Sequence, residues 1–167
     1  PAALANVDAL TGSDTLCVIG GQQAGFLGGP LFTIYKILSV VRCASWLSER
    51  LRARVVPIFW LASEDHDFTE INRVRLLDES GDVRTVSFDW TGRGRPIERL
   101  PITPDVRTAL AEALDMFPEE RAGDRDLFLP NPSDDYAVWH ARIWSRLFAA
   151  SGLVLVEPRA VRAMAGP

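Results

Sequence analysis

Leu16-Cys17-Val18-Ile19-Gly20-Gly21-Gln22-Gln23-Ala24-Gly25-Phe26-Leu27-Gly28-Gly29-Pro30 is the stretch that decides the fold. Its short apolar run, closed by two glycines, reads as a buried strand. Five of the eleven residues from Gly20 to Pro30 are glycine, which makes a tight loop. Pro30 stands where a helix would begin, a position at which its fixed φ helps and its missing N–H costs nothing. From Leu31 to about Arg52 the pattern is helical, and apolar residues cover most of the circumference, which predicts a buried helix. Val55 to Leu61 is a second wholly apolar strand, ended by Ser63-Glu64-Asp65-His66-Asp67. Strand, loop, helix and strand make a βαβ unit with parallel strands and a right-handed crossover.

Beyond the unit the period changes. Ile71 to Leu77 and Val83 to Phe88 read as a hairpin, and Ile97 to Ile102 as a third strand beside it. A helix runs from Thr103 or Pro104 to Phe117, with Val106, Leu110, Ala113 and Leu114 on one face, and the polar stretch from Pro118 to Pro132 reads as a loop. Ser133 opens a further helix carrying Tyr136, Trp139, Ile143, Leu147 and Phe148, stopped by Gly152, and Leu153 to Val156 is a third core strand ended by Pro158. The expected fold is α/β, a three-layer Rossmann-like core with a small inserted β region. Its parts are a first βαβ half over 1–69, the insertion over 70–103, and helices with the third core strand over 104–167.

A chain of 167 residues, 47% hydrophobic and 24% charged, can bury a proper core. A net charge of -4 argues against a nucleic-acid partner, because gripping a polyphosphate needs a basic face. Cys17 and Cys43 have no ligand spacing, fit a reducing cytoplasm, and read as small buried hydrophobes. The apolar stretch from Leu31 to Leu51 is broken by Lys36, Arg42 and Glu49, so no membrane span is expected. The start at Pro1 and the end at Ala165-Gly166-Pro167 read as a piece of something longer.

Three groups of residues can carry chemistry. In open α/β sheets ligands bind beyond the carboxyl ends of the strands, where loop N–H groups and a helix N-terminus attract anions. Gly21, Gly25, Gly28 and Gly29 would let backbone approach a phosphate or carboxylate, Thr33 adds a hydroxyl, and Gln22 and Gln23 can hydrogen-bond a polar ligand. The spacing fits neither common nucleotide fingerprint, and a tight turn needing positive φ is the competing reading. At the end of the second strand, Glu64, Asp65 and Asp67 surround His66, which can act as a general base or orient a substrate amine. Asp67-Phe68-Thr69-Glu70 also resembles a capping box. With one other histidine in the chain and no H-x-x-x-H pairing, no metal site is expected. Lys36, the one lysine among 18 cationic residues, lies three residues after Thr33, on nearly the same helix face. It can meet an anionic group, or it is a snorkelling lysine. His140 reads as a satisfied structural histidine, and Trp60, Trp139, Trp144 and Tyr136 as core.

The blocks Gly20 to Lys36 and Val56-Pro57-Ile58-Phe59-Trp60-Leu61-Ala62-Ser63-Glu64-Asp65-His66-Asp67-Phe68, with Gly152 to Pro158, resemble the BshC family of bacillithiol biosynthesis, the cysteine-adding enzymes. The resemblance covers nearly all of this chain and the N-terminal part of the family's longer one. It implies a ligase that joins the carboxylate of L-cysteine to the amine of glucosaminyl-malate, in the cytoplasm, as a homodimer through a coiled coil absent here. It also implies the class I synthetase and nucleotidylyltransferase type of Rossmann core, whose HIGH-like motif contacts ATP. At that place this sequence reads Gly29-Pro30-Leu31-Phe32-Thr33, without histidine. On this reading His66, Asp65 and Asp67 serve catalysis, while the loop glycines, Gln22, Gln23, Thr33, Lys36 and Glu64 bind substrate or nucleotide. The alternative is a nucleotide-binding or dimer-forming module without ligase activity. A class I aminoacyl-tRNA synthetase fragment is disfavoured by the acidic charge.

Overall fold

The computed structural model describes residues 2–92 and 94–164. They form two compact units, one made of 2–22, 31–62 and 144–164, the other of 23–30, 63–92 and 94–143. The chain is α/β and Rossmann-like.

The first unit is built on a three-stranded sheet in the order β1-β2-β5. Its strands are β1 (Leu16–Gln23), β2 (Val55–Ala62) and β5 (Val154–Val156). β2 and β5 are parallel, with Ile58 opposite Val154 and Trp60 opposite Val156. β2 is buried nearly throughout, as its unbroken apolar run requires of a central strand. Alternation splits its side chains between two faces. Val56 and Ile58 cluster with Val154 and with Ala9 of α1 (Ala2–Ala9), while α2 (Phe32–Leu51) covers the other face through Ile37, Val40 and Ala44. α6 (Pro158–Met164) follows β5 directly. Neither α1 nor α6 was legible in the sequence.

Two expectations fail here. β1 is an edge strand of this sheet, with Leu16 and Ile19 exposed, and Cys17 is exposed as well. α2 buries one face alone: Leu31, Phe32, Tyr35, Leu38 and Trp46 are exposed, with Cys43 beside them. The all-round apolar pattern is real, but within the described residues one side of the helix is packed.

Close backbone approach explains the first two glycines. A methyl group on Gly20 would lie 2.5 Å from Val40 Cγ2, and one on Gly21 would lie 2.9 Å from the Trp60 carbonyl oxygen. Both distances are shorter than real Cβ contacts. Gly152, at φ 73, turns the chain into β5, and its carbonyl accepts from Asn6 Nδ2 at 2.5 Å.

The second unit begins where β2 ends. The expected hairpin is present as β3 (Arg73–Leu77) and β4 (Val83–Ser87), antiparallel, with Leu77 opposite Val83. Ile71 belongs instead to a one-turn helix, α3 (Phe68–Ile71). The expected third strand over Ile97 to Ile102 does not form. Ile97–Arg99 is a 3-10 turn, whose first N–H groups donate outside any ladder, Ile97 to the Asp65 carbonyl at 2.9 Å and Glu98 to the Ser63 carbonyl at 2.8 Å. Pro101 has no N–H to give a strand, and only an isolated bridge links it to Asp135.

α4 (Pro104–Asp115) is capped by Thr103 and buries the four residues expected. Part of the polar loop is helical after all, a 3-10 segment over Glu119–Phe128. α5 (Tyr136–Leu147) starts later than Ser133, with the Asp135 carboxylate accepting from Val138 N at 2.9 Å. Tyr136, Trp139 and Ile143 enter a core with Phe26, Phe68 and Phe88, and Leu147 is exposed. Tyr136 donates its hydroxyl to the Ile71 carbonyl at 2.9 Å.

Gly21→Ala is expected to destabilise the protein by about 1–3 kcal/mol, the usual cost of forcing a methyl into filled space. A shift of the urea midpoint with unchanged slope would show it, and an unshifted midpoint would mean that β1 yields without cost.

Candidate functional site

The candidate residues fall into two groups, one in each unit, joined along the chain at Gln22-Gln23, Pro30-Leu31 and Ala62-Ser63.

The first group gathers at the start of α2. Side chains three apart on a helix share a face, and that spacing puts Thr33 and Lys36 together. Lys36 Nζ donates to Gln22 Oε1 at 2.7 Å and to the Gly21 carbonyl at 3.3 Å, and it lies 5.0 Å from the centre of the Phe32 ring. An ammonium over an aromatic face gains about 0.5–1 kcal/mol at an exposed site. An open groove of about 340 Å³ runs along Gly20, Gly21, Phe32, Tyr35, Lys36 and Ser39. Thr33 is fully buried, and its hydroxyl has no hydrogen-bond partner among the described residues.

The second group is organised by Asp65. Its Oδ2 accepts from Gln23 Nε2, and its Oδ1 accepts from the backbone N–H of His66 at 2.7 Å and of Asp67 at 3.3 Å. These donors, the Gln23 amide foremost, hold the Asp65 carboxyl below the usual carboxylate range. His66 extends outward: its side chain is 75% exposed, and Nδ1 stands 3.8 Å from Asp65 Oδ1. Asp67 accepts from Thr69 N at 3.2 Å and Thr69 Oγ1 at 2.8 Å, so its carboxylate caps α3. Glu64 is exposed. Among the described residues no set of three or more His, Cys, Asp or Glu side chains is grouped to hold a metal ion, and no helix is long and apolar enough to cross a membrane.

The remaining loop glycines belong to this second unit. A methyl on Gly25 would meet Gly29 Cα at 2.5 Å, so the loop folds back on itself there. Gly28 and Gly29 have φ of 90° and 81°, and Leu27 shares their left-handed sense at 52°. The competing sequence reading, a turn needing positive φ, therefore describes the backbone at Gly28 and Gly29.

The sequence did not reveal what holds this loop. His140, on α5, is 1% exposed and its Nδ1 lies 3.0 Å from the Gly25 carbonyl oxygen. Burial pushes its pKa down to about 4. The two residues are 115 positions apart, and no local pattern signals such a pair.

Comparison with known proteins comes to the same family as the motifs. Residues 1–165 match the family described as bacillithiol biosynthesis BshC, N-terminal Rossmann-like domain. A Bacillus cereus (strain G9842) protein named "Putative cysteine ligase BshC" is 36% identical over 159 residues, 92% of this chain and 30% of its own. Proteins of that name from Bacillus cytotoxicus and Geobacillus sp. (strain WCH70) are each 35% identical over 157 residues, 91% of this chain and 29% of theirs. The chain thus spans about 30% of the length of these relatives. It belongs to the BshC N-terminal Rossmann-like family.

Two titrations test this geometry. Gln23→Ala should raise the Asp65 pKa toward the ordinary value, as followed by carboxyl carbon NMR; an unmoved titration would mean that the backbone donors alone hold the charge. For His140 the folded pKa lies below the unfolded 6.5, so the unfolded chain takes up the proton first. Its contribution to stability is complete above pH 6.5, is lost between 6.5 and about 4, and totals about 3 kcal/mol. Denaturation midpoints of wild type and His140→Leu across that range would converge toward low pH. Parallel curves would refute it.

Proposed function

We propose, with membership of the BshC family as the premise, that the chain supplies substrate-binding and catalytic groups to a ligase. The reaction joins L-cysteine to glucosaminyl-malate, forming a bond between the cysteine carboxyl carbon and the glucosaminyl nitrogen, with overall loss of the elements of water. The observation that carries the reading is the cluster at the start of α2, where a lysine ammonium held by the Gln22 side chain and the Gly21 carbonyl lines an open groove. A helix N-terminus with an adjacent ammonium favours a phosphate or carboxylate.

Forming an amide from a free acid in water requires activation. ATP, when bound, would supply it, and Lys36, with Thr33 in the same first turns of α2, would hold its polyphosphate, the ammonium turning from the Gly21 and Gln22 oxygens to the anion. The malate carboxylates are the other anions this chemistry suits. In the second unit, the loop of Gly25, Gly28 and Gly29, with Gly29 its less buried glycine, is a second place for an anionic substrate group, and Gln23 holds the Asp65 carboxyl below its usual range. His66, with its exposed imidazole, takes the proton that the amine nitrogen loses as the C–N bond forms. Asp65 and Asp67 shape the turn that presents it, and Glu64 adds negative charge beside the incoming ammonium.

A second reading, a nucleotide-binding or dimer-forming module without ligase activity, draws on the exposed apolar side of α2. One assay separates them. The full-length protein incubated with L-cysteine, glucosaminyl-malate and ATP should give the amide, detected by mass spectrometry. His66→Ala should lower kcat about 100-fold or more, the usual yield of a general base. Lys36→Ala should raise KM for an anionic substrate about tenfold. Turnover unchanged in both variants would sink the assignment.

A further inference from the structure

The glycine loop of the second unit is costly to hold. Leu27 sits in the left-handed region without a glycine's freedom, a strained backbone, and two glycines beside it lose unusual conformational entropy. Local bonds are few: Gly28 N–H donates to the Gly25 carbonyl at 3.2 Å and Gly29 N–H to the Phe26 carbonyl at 2.9 Å. Further support comes from Phe88, whose ring meets Phe26 edge to face at 5.2 Å, and from α5, which grips the loop at consecutive residues. Trp139 meets the Phe26 ring edge to face at 5.9 Å, and His140 Nδ1 reaches the Gly25 carbonyl at 3.0 Å.

A carbonyl oxygen can only accept, so His140 Nδ1 carries the hydrogen, which fixes the ring's tautomer. The Gly25 carbonyl thus receives two donors, one from its own turn and one from α5. Losing the second leaves the first turn of the loop to close by itself. Phe26 and Trp139 supply apolar contact that any packed loop has, whereas the imidazole supplies direction.

We propose that His140 is a positioning residue of the BshC reaction: its Nδ1–H aims the Gly25 carbonyl, and thereby sets the backbone of Gly25 to Gly29 in the conformation that receives an anionic substrate group. The proposal rests on the ligase reading above, and its test separates the two. Asn places an amide N–H close to where histidine has Nδ1, so His140→Asn keeps the donor, while His140→Leu keeps the bulk and removes it.

In the full-length protein, His140→Leu is expected to raise KM for ATP or glucosaminyl-malate about three- to tenfold, with kcat changed less than that, the worth of one neutral hydrogen bond. His140→Asn should restore KM. Thermal midpoints should fall in both variants, so a KM that follows the midpoint instead of the donor would overturn the proposal. Amide hydrogen exchange at Gly28 and Gly29 supplies a readout independent of turnover: faster in His140→Leu, near wild type in His140→Asn. If wild type makes no amide, the ligase reading falls and the exchange arm alone decides the clamp. Equal exchange in all three proteins would overturn it.

Discussion

Three positions between Gly20 and Gly25 have no room for a methyl group, and what is built around the loop depends on that exclusion. Gly20 lets Val40 of α2 lie against β1, Gly21 admits the Trp60 carbonyl of the neighbouring strand, and Gly25 lets the loop close on Gly29. Each is a steric statement about a different neighbour. The first two bring β1, α2 and β2 close enough for Lys36 to reach the Gly21 carbonyl and the Gln22 side chain. The third makes the turn tight enough for one carbonyl to accept both Gly28 and His140. In this stretch glycine thus serves absence of volume at Gly20, Gly21 and Gly25, and conformational freedom at Gly28 and Gly29.

The parts of the fold that could be read in the sequence are those whose signal is local. β2 is an unbroken apolar run, the β3–β4 hairpin has alternation on either side of a polar turn, and Thr103-Pro104 is a helix start in two residues. What failed was long-range or relational. An edge strand and a central strand have similar composition in an α/β sheet, so the exposure of Leu16 and Ile19 was not visible. Ile97 to Ile102 has strand-like residues, but its first N–H groups go to the carbonyls of Ser63 and Asp65, which no period can encode. α1 buries no residue at all, so it had no face to detect.

The candidate residues divide the same way. Thr33 and Lys36 follow from helical spacing, and the cap made by Asp67 follows from its neighbours. The Gln23 amide on Asp65 joins residues 42 apart, and it changes what that carboxylate is: a fixed charge with its oxygens engaged, beside the exposed side chain of His66. Among the described residues nothing covers the apolar outer side of α2, in a chain that spans about 30% of its relatives' length.

The mirror-handed run from Leu27 to Gly29 also bears on how such a site can diverge. Side chains are barred at Gly25 by a neighbouring Cα and discouraged at the next two glycines by backbone chirality, so the loop has almost no substitutions open to it. Retuning it by mutation then has to proceed from outside, through the residues that press upon it, Phe88 and those of α5. Evolutionary freedom at this site lies in its support and not in its sequence.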